Sequence, residues 1–202
     1  RFVEEGGTLL ATFNTGICDG HNLCFPGGWP GDGLMALFGL RNEEDDRLGQ
    51  DARKSFAAVP GNALGLDGAW ACGTSCAVLH PDPGVEVVAT FADGFCAGRP
   101  ALTANRVGKG LACYLATHPD PDGLRAIAAA LRRHAGVAGI LPEEPPPGVM
   151  VQRRIAEGGR EFIFLGNFTG EPRNCRLGRT DLADLETGAP AAAVFPLAPF
   201  HS

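Results

Sequence analysis

The first 18 residues, RFVEEGGTLLATFNTGIC, constrain the fold more than any other stretch of the chain. Gly6 and Gly7 follow a short segment typical of a helix end, and glycine supplies the left-handed conformation that ends many helices. Thr8 to Phe13 is a nearly continuous apolar run, typical of a strand covered on both faces in a parallel sheet. The opening therefore predicts an α/β fold in which the chain begins partway through a helix–strand unit. We expect earlier strand–helix units before Arg1.

Composition and charge narrow the classes of partner. The chain has 202 residues, which suits one medium-sized domain or two small ones, and its 45% hydrophobic and 20% charged residues are ordinary for a globular protein. The formal net charge of −6 argues against nucleic acid and anionic membrane surfaces, because both bind positively charged patches. No apolar run approaches the roughly 18 residues of a membrane-spanning helix. We therefore expect neither nucleic acid nor a membrane as a partner.

The cysteine content favours a reducing compartment. The number of cysteines is odd, their spacing is irregular, and a chain of this length can bury enough apolar surface to fold without disulfides. We therefore expect free thiols and a cytoplasmic location. The sequence has no dinucleotide fingerprint, phosphate-binding glycine loop or Ser/His/Asp order, so no cofactor is expected. The seven cysteines are Cys18, Cys24, Cys72, Cys76, Cys96, Cys113 and Cys175.

A proline-rich stretch, Pro142 to Pro147, divides the chain. Its three consecutive prolines favour an extended, semi-rigid spacer. After it the pattern contains strands only, and 149–155 and 161–168 flank a glycine turn. The sequence thus predicts an α/β domain at 1–141, a linker at 142–147 and a small antiparallel sandwich or open barrel at 148–202. Shorter strands are expected near 175–177, 182–184 and 193–197.

Within the first domain, two strand–turn–strand units are expected. Cys76–His80 and Val85–Phe91 are rich in β-branched residues and are joined by a Pro-Asp-Pro-Gly turn, which predicts a hairpin. Ala101–Asn105 and Leu111–Thr117 flank a second turn. The last of these strands, LACYLAT, is apolar enough to be central in a sheet.

Two helices are also expected in this domain. Asp32 is the expected N-cap of a short helix over 33–38 that ends at Gly39. Asp122 is the expected cap of a longer helix from Gly123 to His134, which Gly136 ends. Between the helices, the charge run Arg41–Arg47 is interpreted as a solvated rim, with a cation site as the alternative.

The long loop from Asn14 to Gly31 is the main candidate for function. In open parallel sheets, loops at the carboxyl ends of strands form ligand crevices or interfaces. A loop of this length in a compact domain is usually functional or interfacial. We expect it to form an interface, and the residues expected to take part are Asn14, Asp19, Asn22 and Trp29.

The same loop contains Cys18, His21 and Cys24 at a spacing that could hold zinc. A fourth ligand would be needed, and Asp19 is too close in sequence to serve easily. The alternative is a polar loop that packs on a neighbouring subunit or domain. His118 follows the central strand LACYLAT, so a crevice that joins it with His21 and Cys18 is a further hypothesis, set against a histidine with no catalytic role.

Four segments in order carry a resemblance to a known family. They are RFVEEGGTLLATFNTGICDGHN, PGDGLMALFGLRNEEDD, ALTANRVGKGLACYLAT and, after the prolines, VMVQRRIAEGGREFIFLGNFTGEP. Together they resemble the C-terminal half of bacterial β-galactosidases of glycoside hydrolase family 42. The resemblance implies an incomplete flavodoxin-like (class I glutamine amidotransferase-like) trimerisation domain, with a parallel sheet and helices, followed by a small all-β antiparallel domain.

The resemblance also implies a role. In that family a TIM barrel precedes these domains and carries the two glutamates of a retaining hydrolase that cleaves terminal β-galactosides. No glutamate here lies in a matching motif, so no catalytic residue is assigned. The chain is expected to be a non-catalytic part of such an enzyme that supports a homotrimer and the upstream barrel of the same chain.

Two alternatives remain open. Flavodoxin-like sheets also occur in amidotransferases with a cysteine nucleophile on a Gly-x-Cys-x-Gly turn, and Cys76 in GTSCA is the nearest candidate, although the second glycine is missing. The small β domain could instead bind sugar. Its few exposed aromatic candidates are Phe168 and Phe200, and it has no tryptophan.

Overall fold

The computed structural model describes residues 1–49 and 52–200. These residues form two compact units, the first over 1–137 and the second from Ala138 onward, and each is described by itself. The domain limits at 141 and 147 stay a prediction.

In its described part, the first unit contains an eight-stranded mixed sheet and two helices. The strand order is β1-β7-β6-β5-β3-β4-β2, with β8 paired to β4. The strands are β1 (Thr8–Thr12), β2 (Leu40–Arg47), β3 (Lys54–Ala58), β4 (Ala69–Pro81), β5 (Glu86–Phe91), β6 (Pro100–Val107), β7 (Gly110–Leu115) and β8 (Thr117–Pro119), and the helices are α1 (Leu34–Phe38) and α2 (Pro121–His134).

The strand predicted from the opening sequence lies beside the most buried strand of the sheet. β1 pairs with β7 in parallel, with Thr8 opposite Leu111 and Thr12 opposite Leu115. Every residue of β7 is buried, which explains its continuous apolar sequence. β6 and β7 form the expected antiparallel hairpin. The other strand pairs of the described sheet are also antiparallel, so the prediction of a parallel sheet is wrong and the sheet is mixed.

The segment before β1 makes a single helical turn that the two glycines end. The Gly6 N–H donates to the carbonyl of Val3 at 2.9 Å, and the Gly7 N–H donates to the carbonyl of Phe2 at 2.9 Å. These two hydrogen bonds form the Schellman arrangement of a helix C-terminus. Gly6 has a φ of 119°, a conformation that other residues rarely adopt. The glycine pair therefore ends the helical turn, as the sequence predicted.

The hairpin predicted between β4 and β5 is wrong. In the described part of the chain, β5 pairs with β3 and β6, whereas β4 pairs with β2, β3 and β8. The strand β3 lies between β4 and β5, and its central residue Phe56 is completely buried. Turn chemistry at Pro81–Gly84 correctly marks a reversal, but it does not identify the strand that pairs next.

The charge run is mostly exposed, as expected for a solvated rim, whereas the two predicted helix caps need correction. The charge run is the edge strand β2, where charged side chains on an open edge disfavour pairing with another chain. The N-cap of α1 is Gly33, without a side-chain hydrogen bond, and not Asp32. The N-cap of α2 is Asp120, whose carboxylate accepts from the Gly123 N–H at 2.7 Å, whereas Asp122 lies in the first turn. Proline at the first helical position is compatible with this earlier start.

Aromatic and aliphatic side chains fill the core of the first unit. Phe38 meets Tyr114 edge to face with ring centroids 5.4 Å apart, and Phe56 packs on Trp70 at 5.5 Å. Four of the seven thiols are buried here and serve as small apolar side chains. These are Cys72, Cys76, Cys96 and Cys113.

The second unit contains two small antiparallel sheets. The first pairs β9 (Val149–Ile155) with β10 (Glu161–Asn167), close to the predicted bounds, and the second pairs β11 (Arg173–Arg176) with β12 (Val194–Leu197). The strand expected near 182–184 is reduced to one bridge between Ala183 and Pro190. The buried core consists of Leu141, Cys175, Leu177 and Leu197.

The proline-rich segment follows the core residue Leu141 and contacts strands of the second unit. Leu141 is 7% exposed, Glu143 pairs with Arg176 at 3.2 Å, and the Val149 N–H donates to the carbonyl of Pro146 at 3.0 Å. The segment 142–147 therefore contacts β11 through Glu143 and β9 through Pro146.

Glu161 links two arginines of the second unit and gives a pH-dependent prediction. Its carboxylate lies 2.5 Å from Arg153 and 2.5 Å from Arg179, and the hydrogen bond from Arg179 lowers the pKa of Glu161 most. A carboxyl pKa that is lower in the folded state stabilises the fold above the unfolded pKa, and this stabilisation is lost as the pH falls through the folded pKa. Glu161→Gln should lower the urea midpoint at neutral pH, and its difference from the wild type should shrink at acid pH, as the pH falls below the ordinary carboxyl value of 4.5.

The exposed turn residue Glu157 supplies the control for this change. Glu157→Gln should leave the midpoint unchanged at both pH values, because exposed substitutions have small effects. An equal loss for Glu161→Gln at neutral and acid pH would contradict the ionic origin of the effect.

Candidate interface loop

The loop between β1 and α1 contains a short hairpin over 17–25. The Asp19 N–H donates to the carbonyl of Leu23 at 2.8 Å, and the Phe25 N–H donates to the carbonyl of Ile17 at 3.2 Å. The Asp19 carboxylate accepts from the N–H groups of His21 at 2.8 Å and Leu23 at 3.0 Å. Asp19 thus closes the turn from within, as aspartate does in Asx turns.

Hydrogen bonds at its two ends fix this loop on the sheet. The Gly31 N–H donates to the carbonyl of Gly16 at 2.8 Å, and the Asn42 N–H on β2 donates to the carbonyl of Trp29 at 2.8 Å. Loops are ordered when such backbone groups find partners. The loop is therefore a defined surface feature.

Arg47 contacts the loop at Asn14, and the sequence did not predict this contact. Its guanidinium on β2 donates to the side-chain oxygen of Asn14 at 3.1 Å. The charge run that contains Arg47 was interpreted as a solvated rim, and a charge run carries no signal for a partner 33 residues away.

The four residues predicted for an interface differ in exposure. Asn22 is exposed, whereas Asn14, Asp19 and Trp29 are half-buried and hold the loop in place. Next to Asn22, Leu23 is 65% exposed at the end of the hairpin. A contact of these residues with another subunit stays a prediction.

The two loop cysteines are close, but they do not form a metal site with His21. The Sγ atoms of Cys18 and Cys24 are 4.0 Å apart, and both residues are exposed. Within residues 1–49 and 52–200, no group of three or more His, Cys, Asp or Glu side chains could hold a metal ion. Desolvation is the largest cause of the raised pKa of Cys18. The Cys24 thiol and Asp19 raise this pKa further. The described geometry therefore does not support the zinc alternative, nor a cation site in the charge run.

His118 lies elsewhere, in a cavity of about 510 Å³ on the first unit. Cys72 and Asp120 also line this cavity, and the His118 ring meets Phe13 edge to face at 6.5 Å. Cys18 and His21 are not among the described residues that line it. The hypothetical crevice of Cys18, His21 and His118 is therefore not assembled.

Cys76 lacks the geometry of a nucleophile. It is completely buried within β4, not exposed at a strand-to-helix turn. Its hydrogen bond with Cys72, together with burial, raises the pKa of Cys76, and the same bond lowers the pKa of Cys72 to about 7. A reactive cysteine needs an accessible thiolate. The buried Cys76 therefore does not support the amidotransferase alternative.

The aromatic candidates of the second unit are accessible. Phe168 is 64% exposed and Phe200 is 76% exposed. Exposure is compatible with stacking on a sugar ring.

Comparison with known proteins identifies the family. Residues 1–138 match the family model described as "Beta-galactosidase trimerisation domain". The chain belongs to the family 42 β-galactosidases. "Beta-galactosidase Pbg" from Clostridium perfringens is 34% identical over 200 residues, which are 99% of this chain and 29% of that protein. "Beta-galactosidase BglY" from Alicyclobacillus acidocaldarius is 38% identical over 189 residues, 94% of this chain and 27% of that protein.

Solved family 42 structures share the fold. The crystal structure of the β-galactosidase from Bacillus circulans sp. alkalophilus superposes with a TM-score of 0.91 at 32% identity. The match covers 100% of this chain and 29% of the chain in that structure. The GH42 β-galactosidase Gan42B from G. stearothermophilus superposes with a TM-score of 0.85 at 29% identity, over 99% of this chain and 28% of the length of Gan42B. The chain thus spans less than a third of the length of these family 42 relatives.

The described residues contain no helix with the length and hydropathy needed to span a membrane.

Proposed function

We propose that this chain is a non-catalytic part of a cytoplasmic β-galactosidase that holds the enzyme as a homotrimer. In this proposal a TIM barrel elsewhere in the same enzyme hydrolyses terminal β-D-galactosides, and the chain supports that barrel. The observation that carries it is the match of residues 1–138 to the trimerisation domain family. The names of relatives such as Pbg, BglY and BgaA, each a β-galactosidase, support the substrate class.

We also propose that the first unit derives from a flavodoxin-like sheet within a domain over 1–141. The parallel pairing of β1 with β7 and the helix α2 that follows β8 support this assignment. The prolines at 142–147 would then separate it from the domain over 148–202.

The loop Asn14 to Pro30 is the proposed contact surface, either with another subunit or with the barrel. Its hairpin has a fixed backbone, so little conformational entropy is lost when it binds. Its end presents Leu23, which is 65% exposed, next to the polar Asn22. An ordered loop that presents an apolar side chain is suited to burial in an interface.

Shortening the hairpin in the intact enzyme tests this proposal. Two glycines in place of residues 18–24 can join Ile17 to Phe25, because these two residues already share a backbone hydrogen bond of 3.2 Å. We expect the molar mass measured by light scattering to fall from three subunits to one. The point variant Leu23→Lys should weaken the trimer without disturbing the fold, because this side chain is exposed.

A matched control shortens a turn in the second unit. An Asn-Gly pair in place of residues 156–160 keeps the β9–β10 hairpin, whose last pair is Ile155 and Glu161, and should leave the trimer intact. If the trimer is unchanged in the variant with residues 18–24 replaced and in Leu23→Lys, and both retain the circular dichroism of the wild type, the loop is rejected as the subunit contact.

The two alternatives have less support. A cysteine-dependent amidotransferase would need an accessible nucleophile, and Cys76 is buried. A sugar-binding role for the second unit rests on the exposure of Phe168 and Phe200 alone and stays a hypothesis.

A further inference from the structure

Cys18 and Cys24 face each other across the hairpin of the interface loop. They form an isolated antiparallel bridge pair, and the flanking hydrogen bonds are Asp19 N–H to Leu23 and Phe25 N–H to Ile17. Because the hydrogen bonds belong to the neighbours, the two cysteines are a non-hydrogen-bonded pair. Side chains in such a pair lie on the same face of the ribbon and closer together than at hydrogen-bonded positions.

This position suits a disulfide. Directly opposed residues at non-hydrogen-bonded sites have Cα atoms about 4.5 Å apart, which is within the range of roughly 4.4 to 6.8 Å found for disulfides. The two Sγ atoms are 4.0 Å apart. Rotation of the two side chains can bring them to the bonding distance of about 2.0 Å without a change of hairpin register.

Accessibility sets this pair apart from the other thiols. Cys18 and Cys24 are exposed, whereas the remaining five cysteines are buried in the cores of the two units. Attack on a dissolved disulfide requires an accessible thiolate, so a water-soluble oxidant reaches the exposed pair first.

We propose that Cys18 and Cys24 form a reversible two-electron redox site that low-molecular-weight disulfides oxidise. One thiol loses its proton, its thiolate attacks a sulfur of the small disulfide, and one small thiolate leaves. The second cysteine, as thiolate, then attacks the mixed disulfide, the Cys18–Cys24 bond forms and the second small thiolate leaves. The protein loses two electrons and two protons, and one small disulfide is reduced to two thiols.

The product is a hairpin closed by a covalent bond at the base of the segment that presents Leu23. Reduction by a small thiol reverses the reaction along the same path. The proposal requires the geometry of the hairpin and access of a small oxidant to the two exposed thiols, which the subunit contact proposed at Leu23 must leave open.

Oxidised glutathione is the probe for the test on the intact enzyme. After incubation, free thiols are alkylated and the tryptic peptides are mapped by mass spectrometry without reduction. We expect the peptide that contains Cys18 and Cys24 to lose the mass of two hydrogen atoms and its alkylation to fall by about tenfold or more. The buried thiols should stay reduced, and dithiothreitol should restore alkylation of the pair.

Cys24→Ser is the matched variant. It should accumulate a mixed disulfide between Cys18 and glutathione, because the second thiol that resolves this intermediate is missing. Three results would overturn the proposal: glutathione adducts on both cysteines of the wild type, unreacted thiols at both positions, or thiols that react only after a chelator removes a bound metal. Molar mass measured on the same samples keeps this outcome separate from the trimer test.

Discussion

Gly110→Ala is expected to destabilise the first unit by about 3 kcal/mol or more. A Cβ at this position would collide with the carbonyl oxygens of Val3 and Gly7. Both are backbone atoms, and neighbouring hydrogen bonds hold them in place, including Leu111 N–H to Gly7 at 3.1 Å. A flexible side chain could move aside, but here the opening turn or β7 itself must shift. The melting temperature should fall by roughly 10 °C.

Gly20→Ala is the matched control for this substitution. An added Cβ at Gly20 meets no heavy atom within 4 Å, and its φ does not lie in the left-handed region. Its effect on stability should stay within about 0.5 kcal/mol. Equal stability of the two variants in urea unfolding would contradict close packing of the opening turn against the β6–β7 turn.

The same contact explains why the opening sequence predicted so much of the first unit. The glycine stop at Gly6 and the apolar run of β1 are local signals, and local signals survive in the fold when tertiary contacts agree with them. Likewise, the turn between β6 and β7 lies within the sequence that it connects. Strand β1 and the β6–β7 hairpin could therefore be predicted from the sequence.

The central pairing could not be predicted, because it depends on contacts between distant segments. β3 has no clear period, yet Phe56 places it between β4 and β5. The bounds of the candidate loop followed from its turn residues. Its internal register, with Cys18 opposite Cys24, and its bond from Arg47 to Asn14 required the folded chain. Composition gives no information on which residues a strand or a guanidinium will meet.

Buried asparagines are the other feature without a sequence signal. Asn62 joins four backbone groups of its own loop in the first unit, at distances of 2.7 to 3.2 Å. Asn167 has a similar role in the second unit. Asparagine usually indicates a turn on the surface, so the burial of these two side chains becomes apparent only with the hydrogen bonds that satisfy them.

Asn167→Ala is expected to destabilise the second unit by about 3 kcal/mol. The side chain is 1% exposed at the end of β10, and its Nδ2 donates to the carbonyls of Glu171 at 2.8 Å and Ala198 at 2.9 Å. Its Oδ1 accepts from the Thr169 N–H at 3.0 Å and hydroxyl at 2.8 Å. One amide thus joins the end of β10, the next loop and the segment after β12.

Asn174→Ala on the exposed side of β11 is the matched control and should change stability by less than about 0.5 kcal/mol. Asn167→Asp separates the two halves of the amide, because a carboxylate still accepts from Thr169 but cannot donate to Glu171 and Ala198. If the donor half carries most of the stabilisation, Asp should be as harmful as Ala. Hydrogen exchange of β10 and β12 amides measures the loss locally, and unchanged protection in Asn167→Ala would refute the assigned role of this side chain.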